Sequence, residues 1–334
     1  MFGDEILLII GNGFDIDLGL KTRYSDFIES GYYPIKGRMS FDYDYSDIEE
    51  YSLLQYLKMS YSNKRWIDIE TSLLDYIKIK TVVDQVKIEG TNLYKKVKYL
   101  VGIEYIQKDF ETLRQSLTAY LNSISFDDIN RSSTAARLLD LFANETVTIL
   151  SYNYTDLNKL MNKLGLKTTS FIQVHGKLED KSIIIGVQDD VEIPDDANFI
   201  IKSHSEYYRS CAVREKLEEA DHIIFFGHSL GETDYHYFRD FFQKQSGLLR
   251  EKPQKKKITI FTYDEKSRQD ILSQLRRMNE KRVNYLFDLN DVEFFRTSYH
   301  EDQKNIDNFL EKMRDSFKPP DFVIVSPKNL RQRV

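Results

Sequence analysis

The stretch Glu5 to Asp15, EILLIIGNGFD, constrains this chain more than any other. Ile6 to Ile10 are all apolar with no alternation, the pattern of a strand buried on both faces of a parallel sheet. Gly11-Asn12-Gly13 then lets the backbone turn sharply and leaves its amides bare, which is how an α/β sheet brings the phosphates of a nucleotide against main chain. The third glycine of the dinucleotide fingerprint is absent, because Ile16 stands in its place. Taken alone, the stretch is open to two readings: a nucleotide-binding turn, or a tight turn whose glycines serve backbone geometry only.

Down the chain the pattern is first helical and then alternating. Thr22 is placed to cap a helix whose apolar side is Tyr24, Phe27 and Ile28. Gly31 to Asp47 has Gly, Pro and interleaved Asp and Tyr without helical period, and reads as a long loop beside the first turn. From Ile48 the spacing is helical: Leu53, Leu54 and Leu57, then Ile69, Leu73, Leu74 and Ile77, then Ile103, Ile106, Phe110, Leu113, Leu117 and Leu121. No run here reads as a strand, so residues 31–129 are expected to be a helical insertion.

Strands and helices then alternate. Helices are expected at Thr134 to Phe142, Leu157 to Leu164, Ser205 to Ala220 (bearing Cys211), Tyr235 to Gln243, Lys266 to Lys281 and Lys304 to Phe317. TVTILSYNYTD is expected to be a strand and its exit loop, and HIIFFGHSLGETD a strand ending in Gly227 followed by a polar turn. Further strands are expected at KITIFTYD and at Asp291 to Thr297, with SFIQVHG and SIIIG forming a hairpin. The fold class that follows is α/β, a Rossmann-like, mostly parallel sheet wrapped by helices. Its core is residues 1–30 and 130–317, interrupted by the insertion, and 318–334 is a loose tail.

Composition narrows the classes. The net charge of -6 gives no reason to expect nucleic acid or an anionic membrane as partner. EKPQKKK at Glu251 to Lys257 is basic but reads as a solvated loop. A single cysteine, Cys211, excludes an internal disulfide and a multi-thiolate zinc site, and suits a reducing cytoplasm. The short apolar run at the N-terminus has no basic flank, so it reads as a strand and not as a signal peptide or membrane span.

Polar residues gather where strands end: Gly11 to Asp15, Ser151 to Asp156, Val174-His175-Gly176 and Gly227 to Asp234. Ligands of such sheets bind outside the carboxyl ends of the strands, so the four clusters are expected to converge on one edge. Each also has a plain structural role open to it. Asn153 can close an Asx turn, Asp156 can cap a helix, and His175 and His228 can be hydrogen-bonded core or turn residues.

The blocks IIGNGFDIDLGLKTRYSDF, WIDIE, SYNYTDLNKL, VHGKL with IIIG, and FFGHSLGETDYHYF resemble, in order, those of the AbiH family of bacterial abortive-infection proteins. AbiH proteins are similar, more distantly, to Sir2-like proteins, which cleave the nicotinamide glycosidic bond of NAD. The shared order is Gly11 and Gly13 with Gly19-Leu20, Asn153, His175-Gly176, and Gly227-His228-Ser229-Leu230. The resemblance implies that Asn153 orients the nicotinamide ribose and the attacking water and that His175 is the general base. It further implies that Gly11, Asn12 and Gly13 meet the pyrophosphate and Ser229 the adenosine ribose or a phosphate. Phe14, Thr22, Tyr24, His228 and Asp234 would complete the cofactor site. Asp15 would repel phosphate and is expected on loop amides or a ribose hydroxyl instead. An oxocarbenium-like transition state suits this set, since it needs a fixed sugar, a placed nucleophile and a base that works near neutrality.

The resemblance has limits. Sir2 protein deacylases carry a four-cysteine zinc module that one cysteine cannot build, so no zinc and no deacylation are expected. The expectation is a cytoplasmic phage-defence effector that hydrolyses NAD, with a phage-derived trigger or partner protein and a homo-oligomer as further partners. Two alternatives stand beside it. One is a sensor that binds NAD or a related nucleotide without cleaving it. The other is a metal-dependent nuclease toxin using Asp15, Asp68, Glu70 and Asp234, although Asp68 and Glu70 are two apart on a helix and do not share a face. Trp66, Asp68 and Glu70 of WIDIE either begin a helix or line the cleft.

Overall fold

The computed structural model describes residues 5–36, 51–64, 67–87, 89, 94–167, 171–249 and 253–318. Trp66, residues 37–47 of the long loop, Glu251 and Lys252 of the basic run, and the tail beyond Lys318 lie outside these.

β1 (Ile6–Ile10) is buried at every residue, as an unalternating apolar run requires. The chain passes at Gly11 straight into α1 (Asn12–Asp17), and α2 (Tyr24–Glu29) follows. Thr22 does not cap α2. Arg23 N–H is held by the Asp26 carboxylate at 3.1 Å, while the Thr22 hydroxyl donates to Asn12 Oδ1 at 2.5 Å and ties this entry to the first turn.

α3 (Leu53–Lys64) and α4 (Ile69–Lys80) come next. Asp68 caps α4, accepting from Glu70 N–H at 3.0 Å and Thr71 N–H at 3.3 Å, a contact of about 1 kcal/mol in helices generally. The expectation of helix throughout the insertion fails at this point. β2 (Thr81–Lys87) and β3 (Tyr94–Leu100) form an antiparallel hairpin before α5 (Ile103–Asn122) begins. Val82, Val83, Val86 and Val97, with Tyr94 and Tyr99, favour extended backbone, and the charged residues among them mask that preference in the sequence.

The alternating part runs α6 (Thr134–Phe142), β4 (Val147–Ser151), α7 (Leu157–Leu164) and β5 (Phe171–Gln173). It continues with α8 (Val213–Glu219), β6 (His222–Phe226), α9 (Tyr235–Gln245) and β7 (Lys257–Thr262). The last elements are α10 (Glu265–Met278), α11 (Val283–Leu289), β8 (Asp291–Arg296) and α12 (His300–Ser316). Three expectations are corrected. Ser182 to Gly186 is not a strand: Ile183, Ile185 and Val187 pack into the core of the insertion, so the run is apolar for packing and not for pairing. Cys211 precedes its helix, because Ala212 sits at φ 49, a left-handed conformation that interrupts α8 on its N-terminal side. Lys281 is likewise left-handed, so α10 ends early and α11 follows as a separate helix.

The six strands lie in the order β5-β4-β1-β6-β7-β8, and every neighbouring pair is parallel. This is the doubly wound, Rossmann-like arrangement, in which the first strand is central and later strands are added outward on both sides. Ile6, Leu8 and Ile10 face α6 and α12, while Leu7 and Ile9 face α8, α9 and α10. A third core joins α2 to α5 with Ile183, Ile185 and Ile200. The strand order reverses beside β1, and a ligand crevice belongs there, at the carboxyl ends of β1, β4 and β6.

Candidate functional site

The turn after β1 and the turn after β6 are pressed together. Gly11 N–H donates to Phe226 O at 3.0 Å, Gly13 N–H to Gly227 O at 2.9 Å, and Phe14 N–H to Gly11 O at 2.9 Å. A Cβ on Gly13 would lie 2.6 Å from Gly227 Cα, and one on Gly11 would lie 2.6 Å from His228 Cα. Gly227 itself adopts φ +62. These glycines therefore make room for main chain. The expectation of bare amides after β1 is corrected for Gly11 and Gly13: their N–H groups continue the pairing with the neighbouring turn.

A cavity of about 400 Å³ opens at this switch point. The four strand-end clusters do converge on it. Asn153, His175, Gly11, Asn12, Asp15, Thr22, Tyr24, Gly227, His228, Ser229 and Asp234 all line it, and the insertion adds Asp68 and Glu70. Gly13 and Phe14 are not on its wall: Gly13 is against Gly227, and Phe14 is fully buried with its ring edge-on to Phe226 at 5.2 Å. Asp156 caps α7, accepting from Lys159 N–H at 3.1 Å.

Several wall residues are held from behind. Asn153 Nδ2 donates to Gly11 O at 3.0 Å, and its N–H donates to Ser151 Oγ at 3.2 Å, which fixes the amide plane at the end of β4. His175 Nε2 lies 3.2 Å from Asp234 Oδ1. The same Nε2 lies 3.5 Å from the Lys202 ammonium, so the carboxylate favours a proton on Nε2 and the ammonium a lone pair there. His228 Nδ1 accepts from Leu230 N–H at 3.0 Å, so its proton is on Nε2, 3.6 Å from Asp234 Oδ2. That turn is strained, since Leu230 adopts φ 49. The Tyr152 ring is wedged edge-to-face against both imidazoles, with centroids 5.2 Å from His175 and 4.4 Å from His228.

Lys202 is the member of this buried charge cluster that sequence reasoning missed. It is 3% exposed, and its ammonium lies 3.0 Å from Glu70 Oε2, 3.1 Å from Asp234 Oδ1 and 3.5 Å from His175 Nε2. The cation at the centre of this acidic cluster is thus an ammonium. Burial opposes the Lys202 charge, but Asp234 and Glu70 outweigh it and hold the group above its ordinary value. Burial likewise acts to raise Asp234, and Lys202 and His175 overcome it, so that carboxylate stays well below the usual range. Burial raises Glu70, with Lys202 drawing it back. The one available signal was a lone charge in the apolar run Phe199-Ile200-Ile201-Lys202.

Asp15 differs from the other acids. Its Oδ2 accepts the Thr155 hydroxyl at 2.5 Å, and its Oδ1 is buried without a hydrogen-bond partner. Burial pushes its carboxyl up to about 7, against the pull of Thr155 and Asn153. Burial lowers His228 to about 4, with Asp234 opposing. Among the described residues, no group of three or more His, Cys, Asp or Glu side chains is placed to hold a metal ion. No helix among them is long and apolar enough to cross a membrane.

No curated protein matches the chain. A family model does, that of bacteriophage abortive infection AbiH, over residues 7–252. The match takes in β1 from Leu7 on and its turn, residues 31–129, and every residue named on the cavity wall. The chain therefore belongs to the AbiH family of bacteriophage abortive-infection proteins.

Proposed function

We propose that this abortive-infection protein binds NAD in the cavity at the switch point and hydrolyses it to nicotinamide and ADP-ribose. The observation that carries the reading is the pair His175 Nε2 and Asp234 Oδ1, 3.2 Å apart, on the same cavity wall as Asn153. Asp234 orients the imidazole and, in the tautomer it favours, leaves Nδ1 as the proton acceptor, the relation of a general base to its orienting acid. Asn153, fixed through Gly11 O, presents its side-chain carbonyl to the ribose or the incoming water. Water attacks C1′ of the nicotinamide ribose, and its proton passes to His175. The C1′–N bond breaks with its electron pair moving to the ring nitrogen, so that neutral nicotinamide leaves. Positive charge builds on the sugar during this step, and the carboxylates of Asp234 and Glu70 favour it.

The test is nicotinamide release from NAD by the purified chain, with and without lysate of phage-infected cells, beside Asn153→Ala and His175→Ala. Release by the parent, reduced about 10²-fold or more in His175→Ala, is expected. No release under either condition, or equal release by His175→Ala, would overturn the proposal.

A further inference from the structure

Three of the main-chain donors of the turn after β1 are taken up by protein. Gly11 N–H and Gly13 N–H are bonded to Phe226 O and Gly227 O, and Phe14 N–H to Gly11 O. α1 spans only six residues and opens on Gly11 without a side-chain cap. Three of the amides with which this turn could cradle phosphate are therefore closed by protein.

The inner wall has the opposite sign. Glu70 and Asp234 share the single ammonium of Lys202, which leaves an excess of negative charge in a buried setting, where charges act strongly on a ligand. Tyr24, Tyr152 and Tyr154 line the same cavity, and aromatic faces attract cations. Asp15 adds a buried Oδ1 with no partner. Its carboxyl, pushed up by burial to about 7, both donates and accepts near neutrality, which matches a sugar hydroxyl. Arg23 is the one Lys or Arg on the described lining, and it is exposed.

We infer that the cavity recognises its ligand through a cationic N-ribosyl heterocycle, a pyridinium riboside, and that the diphosphate and second nucleoside of a dinucleotide lie outside it. Asp15 takes a ribose hydroxyl, and the positive ring faces the Glu70–Asp234 side. This inference rests on reading the cavity as an N-glycoside site, and it divides the ligand into an end that is bound and an end that is carried.

Saturation-transfer NMR on the full chain with NAD reads the two ends directly. The expected result is strong transfer to the nicotinamide and adjacent ribose protons and several-fold weaker transfer to the adenine protons. ADP at about hundredfold excess is expected not to displace NAD, while nicotinamide riboside binds within about tenfold of NAD, a gap of 1.4 kcal/mol or less. Adenine protons saturated as strongly as nicotinamide protons, or displacement by ADP, would overturn this inference and leave the NAD proposal standing. No binding of either NAD or the riboside would overturn both. Asp15→Asn, checked for folding by its melting curve, is expected to weaken riboside binding about tenfold. Unchanged affinity would remove Asp15 from the site.

Discussion

Lys202 Nζ lies 3.0 Å from Glu70 Oε2, an ion pair that ties α4 to the short 3-10 turn Lys202–His204. The same ammonium reaches Asp234, so one side chain neutralises two carboxylates from separate parts of the chain. Burying charges is costly, and a pair of this kind is worth keeping only when all its members are present.

Lys202→Met leaves Glu70 and Asp234 facing each other in a buried cluster without a cation. Losing one partner of a buried pair typically costs about 3–5 kcal/mol. The expected outcome is a fall of that order in urea-denaturation free energy, partly restored by adding Glu70→Gln. A Lys202→Met variant as stable as the parent would mean that the ammonium does not hold the cluster together.

Gly13→Ala and Gly227→Ala test the contact between the two turns. A Cβ at Gly227 would meet Gly13 main chain at 2.4 Å, and φ +62 disfavours any side chain there. Backbone on both sides leaves nothing flexible to yield, so a loss of about 3 kcal/mol or more is expected for each. Gly31→Ala is the control, because nothing lies within 4 Å of the added atom. Equal melting temperatures for all three variants would show that the turns are free to separate.

Much of this arrangement was legible because the chain writes it locally. An unbroken apolar run such as Ile6 to Ile10 has few options besides a two-sided buried strand, and polar residues directly after three such strands, with His175 after a fourth, shorter one, must meet at one edge of a parallel sheet. Asn153, His175, His228 and Asp234 were found that way. Gly13 and Phe14 were assigned to the ligand because sequence does not say which side of a turn faces outward. Phe14 in fact fills the core beside Phe226. Lys202 follows no strand and belongs to no motif, and its partners are 132 and 32 residues away in sequence (202 − 70 and 234 − 202). The hairpin of β2 and β3 was read as helix because its charges hide the β-branched residues among them.

That hairpin buries few of its side chains. β2 is exposed from Val82 to Lys87, and of β3 only Val97 and Leu100 are less than exposed. Isolated two-stranded hairpins are marginal in water, and changes on exposed surface generally stay within about 0.5 kcal/mol. Replacing residues 83–98 by a short Gly-Ser linker, with Leu100 and its Asp196 contact kept, is expected to leave the thermal midpoint nearly unchanged. A large drop would mean that the hairpin supports α4 and α5 from outside.

Asp15 and His228 line one cavity and titrate in opposite senses. Burial raises Asp15 to about 7 and lowers His228 to about 4, against unfolded values near 3.9 and 6.5. Between these limits folded Asp15 keeps a proton that the unfolded chain has lost. Its contribution is complete below about pH 4 and disappears as pH rises through 7, a change of up to roughly 4 kcal/mol. Folded His228 lacks a proton that the unfolded chain takes up, so its contribution is complete above about pH 6.5 and is lost as pH falls toward 4, by roughly 3 kcal/mol. Urea unfolding across this range is therefore expected to show Asp15→Asn gaining on the parent as pH rises. His228→Gln, whose side-chain carbonyl is a candidate to replace Nδ1 as acceptor for Leu230 N–H, gains on the parent as pH falls. Profiles that run parallel to the parent's would show that both groups titrate as they do in the unfolded chain, and that the cavity is wetter than its burial implies.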